Sequence, residues 1–229
     1  MFIKEIIFYF FFYLWSLLFF SIFSLVRCFS TQFTFKLSNF WSNSIIKLSK
    51  LILKIDFEII NKEYYESQKI IVASNHQSAW ETFFLYIFFK NPIFILKNEL
   101  KKIPIMSNYF KKLGFIFVDR ESGLKSLRDI LRNIKENKID KKRPIIIFPE
   151  GTRVEPGSKK ELAKGVFVLY KHLNLNILPI AHNAGKFWYN NRVKKKSGII
   201  KVKLFPVIKK GHDKIYVMQK LNKYLNTKL

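Results

Sequence analysis

Residues 69–81 read KIIVASNHQSAWE, and this stretch decides the fold. Its first half, Lys69–Ser74, is a short apolar run of the kind that forms a buried strand. A polar turn follows at once, and the pattern after it, which includes Glu81, is that of a helix beginning. A strand, a turn and a helix in so short a stretch predict the repeating unit of an α/β domain.

Toward the C-terminus, short apolar runs alternate with segments of helical periodicity. Strands are predicted at Ile93–Leu96, Phe115–Val118, Pro144–Phe148, Ile177–Ile180 and Ile199–Ile208. Helices are predicted at Glu121–Lys138, Lys159–His172 and Lys214–Leu225. We therefore expect an α/β fold with a mixed, largely parallel sheet flanked by helices, forming one domain without internal repeats.

Toward the N-terminus, the segment Ile6–Val26 contains no charged residue. At ~1.5 Å per residue a helix of this length crosses the hydrocarbon core, so the segment predicts an N-terminal membrane-anchoring helix. A cleaved signal peptide is the alternative, but its apolar core is normally only ~7–15 residues and ends in small residues. Basic residues follow the segment, which predicts that the body of the protein faces the cytoplasm at the cell (inner) membrane.

A second apolar pattern at Phe40–Ile55 has lysines on its opposite side. It predicts either a helix lying in the membrane interface or an amphipathic helix packed on the domain, and the pattern does not choose between them. We assign residues 1–56 to the membrane anchor and interfacial helix, and residues 57–229 to a single catalytic domain.

The chain is strongly basic, with 41 Lys and Arg against 16 Asp and Glu, a net charge of +25. Such a field attracts phosphate-bearing partners, whether nucleic acid, anionic lipid or an acidic carrier protein. Most of the basic residues are Lys, as compositional drift would produce, so Arg120 and Arg153 stand out as candidate phosphate ligands. The single cysteine, Cys28, excludes disulfides within the chain and Cys-based metal sites.

His76 and Glu81 form the first candidate constellation. A neutral imidazole takes a proton from a hydroxyl, and a carboxylate on its other nitrogen fixes the tautomer. Five positions apart on one helix they would not share a face, so we expect His76 in the turn and Glu81 in the first helical turn. The plainer interpretation is a loop histidine and an acidic residue favoured by the helix dipole.

Three further clusters also lie where predicted strands end, which is where reactive groups gather in open α/β sheets. GFIFVDR at 114–120 ends in Arg120, which emerges where a phosphate could lie or closes the strand as a surface ion pair. FPEGTR at 148–153 has the Pro and Gly of a tight turn, with Glu150 and Arg153 in one loop; a plain turn is the alternative. LPIA at 178–181 is an apolar strand with a proline.

In order and spacing the four clusters resemble the motifs of the glycerolipid acyltransferases, the family that includes 1-acylglycerol-3-phosphate acyltransferases, over residues 70–185. The family's first motif is His, four residues, then Asp, and here Glu81 stands in the Asp position. LKNELKKIP at 96–104 is similar to the stretch that precedes the second motif, which makes Lys97 a candidate charge in the site.

The resemblance implies transfer of a fatty acyl group from a thioester to a lysophospholipid hydroxyl. His76, oriented by Glu81, would act as general base without an acyl-enzyme intermediate. Backbone amides or Lys97 would meet the oxyanion, Asn75 and Ser78 would be helpers, and Arg120 and Arg153 would hold the acceptor's phosphate. The implied substrate-binding set is Lys97, Arg120, Glu150, Gly151, Thr152 and Arg153.

The implied partners are membrane lipids, lysophosphatidic acid and an acidic acyl donor, which is either acyl-CoA or acyl carrier protein as co-substrate. No metal and no cofactor is expected, and no nucleic acid. We expect the other histidines, His172, His182 and His212, to be structural or solvent-exposed.

Rival interpretations stay open at this point. A membrane-tethered nucleic-acid binder accounts for the charge and for the basic run at 192–196, but not for the His76–Glu81 pair, and no zinc-finger or RNA-binding signature occurs. A lipid-active serine hydrolase would need a nucleophile such as Ser78, yet the chain has no Gly-x-Ser-x-Gly sequence. Within the family, lyso-ornithine lipid or lysophosphatidylglycerol is an alternative acceptor.

Overall fold

The structure is a computed structural model that describes residues 2–65, 69–119, 130–132, 134, 143–189 and 195–229. Within these residues the chain forms one seven-stranded sheet with helices on both faces. The strands are β1 (Ile55–Ile60), β2 (Ile71–Ser74), β3 (Ile93–Lys97), β4 (Ile116–Val118), β5 (Ile145–Ile147), β6 (Ile177–His182) and β7 (Gly198–Leu204). The helices are α1 (Phe2–Ile22), α2 (Thr31–Leu53), α3 (Trp80–Phe88), α4 (Met106–Lys112), α5 (Gly165–Leu173) and α6 (Lys214–Leu225).

The strand order is β1-β7-β6-β2-β5-β3-β4. Adjacent strands are parallel except for β6 and β7, which are antiparallel. The predicted mixed, largely parallel sheet is therefore confirmed. Strand β2 lies in the middle, with Ile71 opposite Ile145 on one neighbour and Ile177 on the other. Every residue of β2 is buried, as the continuous apolar run predicted.

Apolar side chains fill the space on both faces of the sheet. On one face, Val72 and Ile146 pack with the buried faces of α2 and α3, such as Ile45 and Leu85. On the other face, Ile71 and Ile145 belong to a cluster that includes residues of α5 and α6. Successive residues of one strand thus supply the two faces in turn, which fixes the register of the central strands.

Helix α1 lies against the domain along one side and presents an apolar surface on the other. Glu5, Phe8 and Phe19 are 2%, 0% and 1% exposed, and the ring of Phe8 meets the edge of Trp188 at 5.0 Å. The exposed side comprises Ile3, Ile6, Ile7, Phe10, Phe11, Tyr13, Leu14, Leu17, Leu18 and Ile22. Of the helices described, Ile3–Ile22 alone is long and apolar enough to cross a membrane, a test that a core helix or a signal sequence also passes.

Helix α2 is longer than the segment Phe40–Ile55 predicted from periodicity. It begins at Thr31, where the hydroxyl of Ser30 accepts the amide hydrogen of Phe33 at 3.2 Å, an N-cap that the apolar pattern did not reveal. Its buried side includes Leu37, Ile45 and Leu53, so α2 packs on the domain.

Strand β1 was not predicted, because Asp56 and Glu58 interrupt its apolar pattern. It is the edge strand and pairs in parallel with β7, beginning at Ile55 opposite Gly198. The boundary predicted between residues 56 and 57 falls within β1, and the division of the chain into anchor and catalytic domain stays a prediction.

Two other predicted elements are shorter in the structure. Helix α5 begins at Gly165, not Lys159, because Ala163 donates its amide hydrogen to the carbonyl of Pro149 and holds the preceding residues as an irregular loop. Strand β7 ends at Leu204, and Ile208 forms only an isolated bridge to Ile177. Most of the predicted helix at 121–138 lies outside the described residues, and α4 was not predicted.

Candidate active site

The candidate residues collect at one edge of the sheet. Strands β2, β3, β5 and β6 are mutually parallel, so their carboxyl ends meet at the same edge. Lys97 ends β3, the turn at 75–78 follows β2, and the loop at 148–153 follows β5. This topology, rather than proximity in sequence, brings the predicted residues together.

His76 and Glu81 are in direct contact, as their spacing predicted. The ring nitrogen Nδ1 of His76 lies 2.7 Å from Oε1 of Glu81. The same oxygen accepts the main-chain amide hydrogens of Gln77 at 2.9 Å and Ser78 at 2.8 Å. His76 lies in the turn and Glu81 in the first turn of α3. The turn wraps around the carboxylate, so that the side chain of Glu81 reaches the imidazole and both main-chain amides at once.

Glu81 is an ionised carboxylate in spite of its complete burial. Burial alone would raise its pKa, but the hydrogen bonds from His76 and from the amide of Ser78 favour the charged form and lower the pKa. A charged carboxylate accepts hydrogen bonds only, so the proton of the contact belongs on Nδ1 of His76. The Nε2 atom of His76 therefore carries the lone pair that a general base needs.

The ring of His76 is held flat against Phe148, with ring centroids 4.1 Å apart and planes 17° apart. Its side chain is 14% exposed, and His76 lines the large cavity of the domain. Packing on one side and a hydrogen bond at Nδ1 fix the plane of the imidazole. The imidazole is thus held in one orientation, which is what a general base at this position would need.

The loop that follows β5 holds the main chain of the catalytic turn. The amide hydrogen of His76 is donated to Oε1 of Glu150 at 3.3 Å, and its carbonyl accepts from the amide of Val154 at 2.8 Å. Arg153 donates from Nε to the carbonyl of Ser78 at 3.1 Å. Gly151 supplies the positive φ of 71° that the bend of this loop needs.

Glu150 lies behind the cavity wall and is 9% exposed. Burial raises its pKa to about 7, the nearby Glu81 adds to the increase, and hydrogen bonds from its own amide and from His76 oppose it. Its described hydrogen bond is to the catalytic turn, and neither Glu150 nor Gly151 is among the residues that line the cavity. Their predicted contact with substrate stays a prediction.

An apolar cavity of about 1390 Å³ extends from His76 into the domain. Lys97, Thr152 and Arg153 line it together with His76; all four lie at the carboxyl ends of the parallel strands β2, β3 and β5, and we call this part of the cavity its polar end. Helix α3 supplies one wall, and helices α1, α2 and α4 supply the others. The wall residues of α3 are Thr82, Phe83 and Tyr86, which share one face of the helix with the N-cap residue Ala79. Aromatic residues from the other helices include Phe10, Phe12, Phe19, Phe20, Trp41, Tyr109 and Phe110.

Two of the predicted site residues, and one histidine that was predicted to be structural or solvent-exposed, need separate mention. Arg120 lies outside the described residues. Ser78 is fully buried and its hydroxyl accepts the amide hydrogen of Trp80 at the start of α3, a role that suits a cap rather than a nucleophile. His182 is 3% exposed and bonded to Asn75, at a separation of 107 positions that no sequence pattern could reveal.

In the part of the chain that the structure describes, no group of three or more His, Cys, Asp or Glu side chains is arranged to hold a metal ion. A histidine paired with a carboxylate beside an apolar cavity is the arrangement expected of an enzyme that transfers an acyl group to a hydroxyl by general-base catalysis.

Comparison with known proteins agrees with this class. The chain belongs to the acyltransferase family, whose family model matches residues 56–183. It is 32% identical over 180 residues to the 1-acyl-sn-glycerol-3-phosphate acyltransferase of Pseudomonas aeruginosa, covering 79% of this chain and 69% of that protein. It is 31% identical over 137 residues to the enzyme of the same name from Saccharomyces cerevisiae, covering 57% of this chain and 44% of the yeast protein.

The fold is similar to the crystal structure of the 1-acyl-sn-glycerophosphate (LPA) acyltransferase PlsC of Thermotoga maritima. The TM-score is 0.78 at 19% identity, over 98% of this chain and 94% of that one. At this identity the likeness establishes the shared fold, N-terminal helices included. Membership of the family decides for the acyltransferase interpretation over the nucleic-acid binder and the serine hydrolase.

Proposed function

We propose that the protein transfers a fatty acyl group from acyl-CoA or acyl carrier protein to the sn-2 hydroxyl of 1-acylglycerol-3-phosphate, yielding phosphatidic acid for phospholipid biosynthesis. The observation that carries the proposal is the His76–Glu81 pair at the polar end of the apolar cavity. The names of the relatives from P. aeruginosa and S. cerevisiae support the choice of acceptor.

The reaction needs one base and no covalent intermediate. Nε2 of His76 takes the proton of the acceptor hydroxyl while the oxygen attacks the thioester carbonyl carbon. Glu81 stabilises the imidazolium that forms. The carbon–sulfur bond of the tetrahedral intermediate then breaks, and the imidazolium returns the proton to the departing thiolate. The products are the ester and the free thiol of the carrier.

Charges at the polar end of the cavity suit the two anions of the reaction. Lys97, at the end of β3, would meet the oxyanion of the tetrahedral intermediate, a kind of contact that is commonly worth ~3 kcal/mol of barrier. Arg153 commits its Nε to Ser78, and its terminal nitrogens would bind the phosphate of the acceptor bidentately. Thr152 lies beside it, and Arg120 is the second predicted phosphate ligand.

The apolar part of the cavity would hold an acyl chain. Its volume of about 1390 Å³ exceeds the ~300–1,000 Å³ of ordinary small-molecule sites. Phenylalanine, leucine and tryptophan side chains of the helices line it, and these stabilise a hydrocarbon chain by removing it from water. The thioester carbon would then lie at the polar end, near Nε2 of His76.

Helix α1 would seat the enzyme in the cell (inner) membrane with the catalytic domain facing the cytoplasm. Its outer surface is apolar, whereas Glu5 near one end and Phe19 near the other are buried against the rest of the protein. The helix therefore lies along the domain, and we propose that it enters one leaflet and does not cross. The acceptor and product would then move sideways between bilayer and site.

Purified protein incubated with a panel of lysolipids and acyl donors, with products identified by mass, tests the proposal. Lysophosphatidic acid should be converted to phosphatidic acid, and His76→Ala should lower the rate at least ~100-fold. His172→Ala, an exposed histidine on α5, is the matched control and should leave the rate unchanged.

The panel also separates the alternatives. Acylation of lyso-ornithine lipid or lysophosphatidylglycerol in place of lysophosphatidic acid would overturn the acceptor and keep the reaction class. A His76→Ala variant as active as the wild-type protein would remove His76 from the mechanism. Comparison of acyl-CoA with acyl carrier protein identifies the donor.

A further inference from the structure

His182 lies behind the catalytic turn, where nothing in the proposed chemistry uses it. It is the last residue of β6, the strand that pairs in parallel with β2, so it reaches the sheet edge beside Asn75. It is 3% exposed, and its ring does not belong to the cavity lining. A histidine buried at this place needs hydrogen-bond partners for both of its ring nitrogens.

Asn75 and His182 are joined by three hydrogen bonds. The side-chain amide of Asn75 donates from Nδ2 to the carbonyl of His182 at 2.9 Å, and its Oδ1 accepts the amide hydrogen of His182 at 2.9 Å. In addition, Nε2 of the His182 ring lies 2.8 Å from the carbonyl oxygen of Asn75. The carbonyl accepts only, so the ring carries its proton on Nε2.

The other ring nitrogen of His182 is also used. Nδ1 lies 3.3 Å from the main-chain nitrogen of Ala184, which donates to it. One donor and one acceptor are what a neutral imidazole offers, so both ring positions are satisfied without a charge. Burial lowers the pKa of His182, and the nearby His76 lowers it further. The charge of Glu81 and the hydrogen bond to Asn75 raise this pKa but do not outweigh the effect of burial. A neutral ring here leaves the negative charge of Glu81 available to His76.

A second contact ties the same two segments together. The amide hydrogen of Gly185 is donated to Oε1 of Gln77 at 3.1 Å. A Cβ at position 185 would stand 2.6 Å from Cγ of Pro156 and 2.9 Å from Cβ of Gln77, so the segment after β6 is pressed against the turn. Residues on both sides of His76 are thereby held by the segment 182–185.

We infer that His182 is a positioning residue: its neutral ring fixes the main chain of Asn75, and through it the direction in which His76 presents its base to the substrate. This inference rests on the proposed role of His76. His182 does not touch the substrate, and acts only through Asn75. Its loss should lower kcat and leave the KM for lysophosphatidic acid nearly unchanged, because the cavity and Arg153 remain in place.

Three variants test the inference. His182→Leu removes the donor, His182→Gln places an amide nitrogen where Nε2 stood, and His182→Asn is polar but too short to reach the Asn75 carbonyl. We expect kcat to fall about 10- to 100-fold in the Leu and Asn variants, the range associated with small displacements of a catalytic group. The Gln variant should keep most of the activity. His172→Leu, on the exposed face of α5, is the control.

A second measurement does not depend on substrate. NMR of the protein labelled with ¹⁵N-histidine, in detergent micelles, should show the Nε2–H tautomer at His182 and the Nδ1–H tautomer at His76. In His182→Asn the His76 signal should move toward a mixture of tautomers. Should the Leu variant fail to fold, the Gln and Asn pair still decides.

Equal kcat values in the Gln and Asn variants, a loss confined to KM, or a charged His182 ring would overturn the inference. Failure of the proposed function has a different signature, since the wild-type protein would then acylate no lysolipid of the panel while the tautomers remained as described.

Discussion

At the scale of single residues, the site depends on one oxygen atom. Oε1 of Glu81 accepts hydrogen from the His76 ring and from the amides of Gln77 and Ser78. Three donors on one oxygen favour the ionised form and leave the carboxylate no freedom to rotate. The imidazole therefore has one tautomer and one orientation before any substrate arrives, as the proposed role of His76 as general base requires.

The raised pKa of Glu150 predicts that the stability of the protein depends on pH. Burial raises its pKa to about 7 from an ordinary value of 4.5, so the folded protein binds this proton more tightly than the unfolded chain does. The stabilisation is present in full below about pH 4.5 and is lost as the pH rises through about 7. Glu150→Gln carries no charge at any pH and should therefore melt at a higher temperature than wild type at about pH 8.

Thermal unfolding in detergent between about pH 4.5 and 8 measures this difference, since each pKa unit corresponds to ~1.4 kcal/mol. The two proteins should differ least at the acidic end. Glu155→Gln, a change at an exposed position two residues beyond the loop at 148–153, is the control. A constant gap between the Glu150→Gln and wild-type midpoints at every pH would show that the carboxyl does not titrate in this range.

At the scale of elements, Arg143 joins the ends of two helices to the strand it precedes. Its Nε donates to the carbonyl of Asn91, and its Nη2 donates to the carbonyls of Pro92 and Leu113. The guanidinium also lies over the ring of Phe35 at 4.7 Å. The last turns of α3 and α4 are therefore fixed beside β5 by one buried side chain, 6% exposed.

Arg143→Lys should destabilise the protein. A lysine keeps the charge but has no planar fork, so it satisfies fewer of the three carbonyls. Hydrogen bonds to a charged group contribute about 1.5–3 kcal/mol each, and we expect a loss of about 2–4 kcal/mol in the free energy of unfolding. Denaturant unfolding in detergent provides the measurement, with Arg132→Lys at an exposed position as control. Equal midpoints for Arg143→Lys and wild type would contradict the role.

The elements show what sequence patterns reveal and what they miss. The buried strands were predictable because continuous apolar runs such as Ile145–Ile147 need no knowledge of their neighbours. Strand β1 was missed because it is an edge strand whose acidic residues face solvent, and Asp56 pairs there with Lys50 at 2.7 Å. The role of Arg143 could not be predicted from the sequence because its partners are main-chain carbonyl oxygens, which every residue has.

In the site, too, local contacts were predictable from the sequence, whereas contacts between distant segments were not. The spacing of His76 and Glu81 predicted their contact because only five positions separate the turn that holds His76 from the first helical turn that holds Glu81. The bonds from Asn75 to His182 depend on the pairing of β2 with β6, so no local pattern indicates them. The sequence of its loop predicted Glu150 as a site residue. The contact of its carboxylate with the main chain of His76 depends on how the two loops pack, which no local pattern indicates.

At the scale of the whole molecule, helix α1 predicts a membrane topology. Lys4 lies in the first turn of α1 and Cys28 lies beyond its last residue, and both are exposed. If α1 lies along the domain within one leaflet, the two positions lie on the same side of the bilayer. If it crossed the ~30 Å hydrocarbon core, they would lie on opposite sides.

Labelling with a membrane-impermeant maleimide distinguishes the two arrangements. Wild-type protein reports on Cys28, and a Lys4→Cys, Cys28→Ser variant reports on the other end of α1. We expect both thiols to react in everted membrane vesicles and neither to react in intact spheroplasts. Reaction of the two thiols from opposite faces would show a membrane-spanning helix.

The docking of α1 has a practical consequence for anyone handling the protein. Deleting the N-terminal apolar segment is the usual way to obtain a water-soluble fragment of an anchored enzyme. Here the deletion would strip Phe8 from Trp188 and remove Phe10, Leu14 and Phe19 from the cavity wall. Such a fragment would have a cavity open to water on one side and an exposed apolar surface that favours aggregation. Activity should therefore be measured on the intact polypeptide in detergent or nanodiscs.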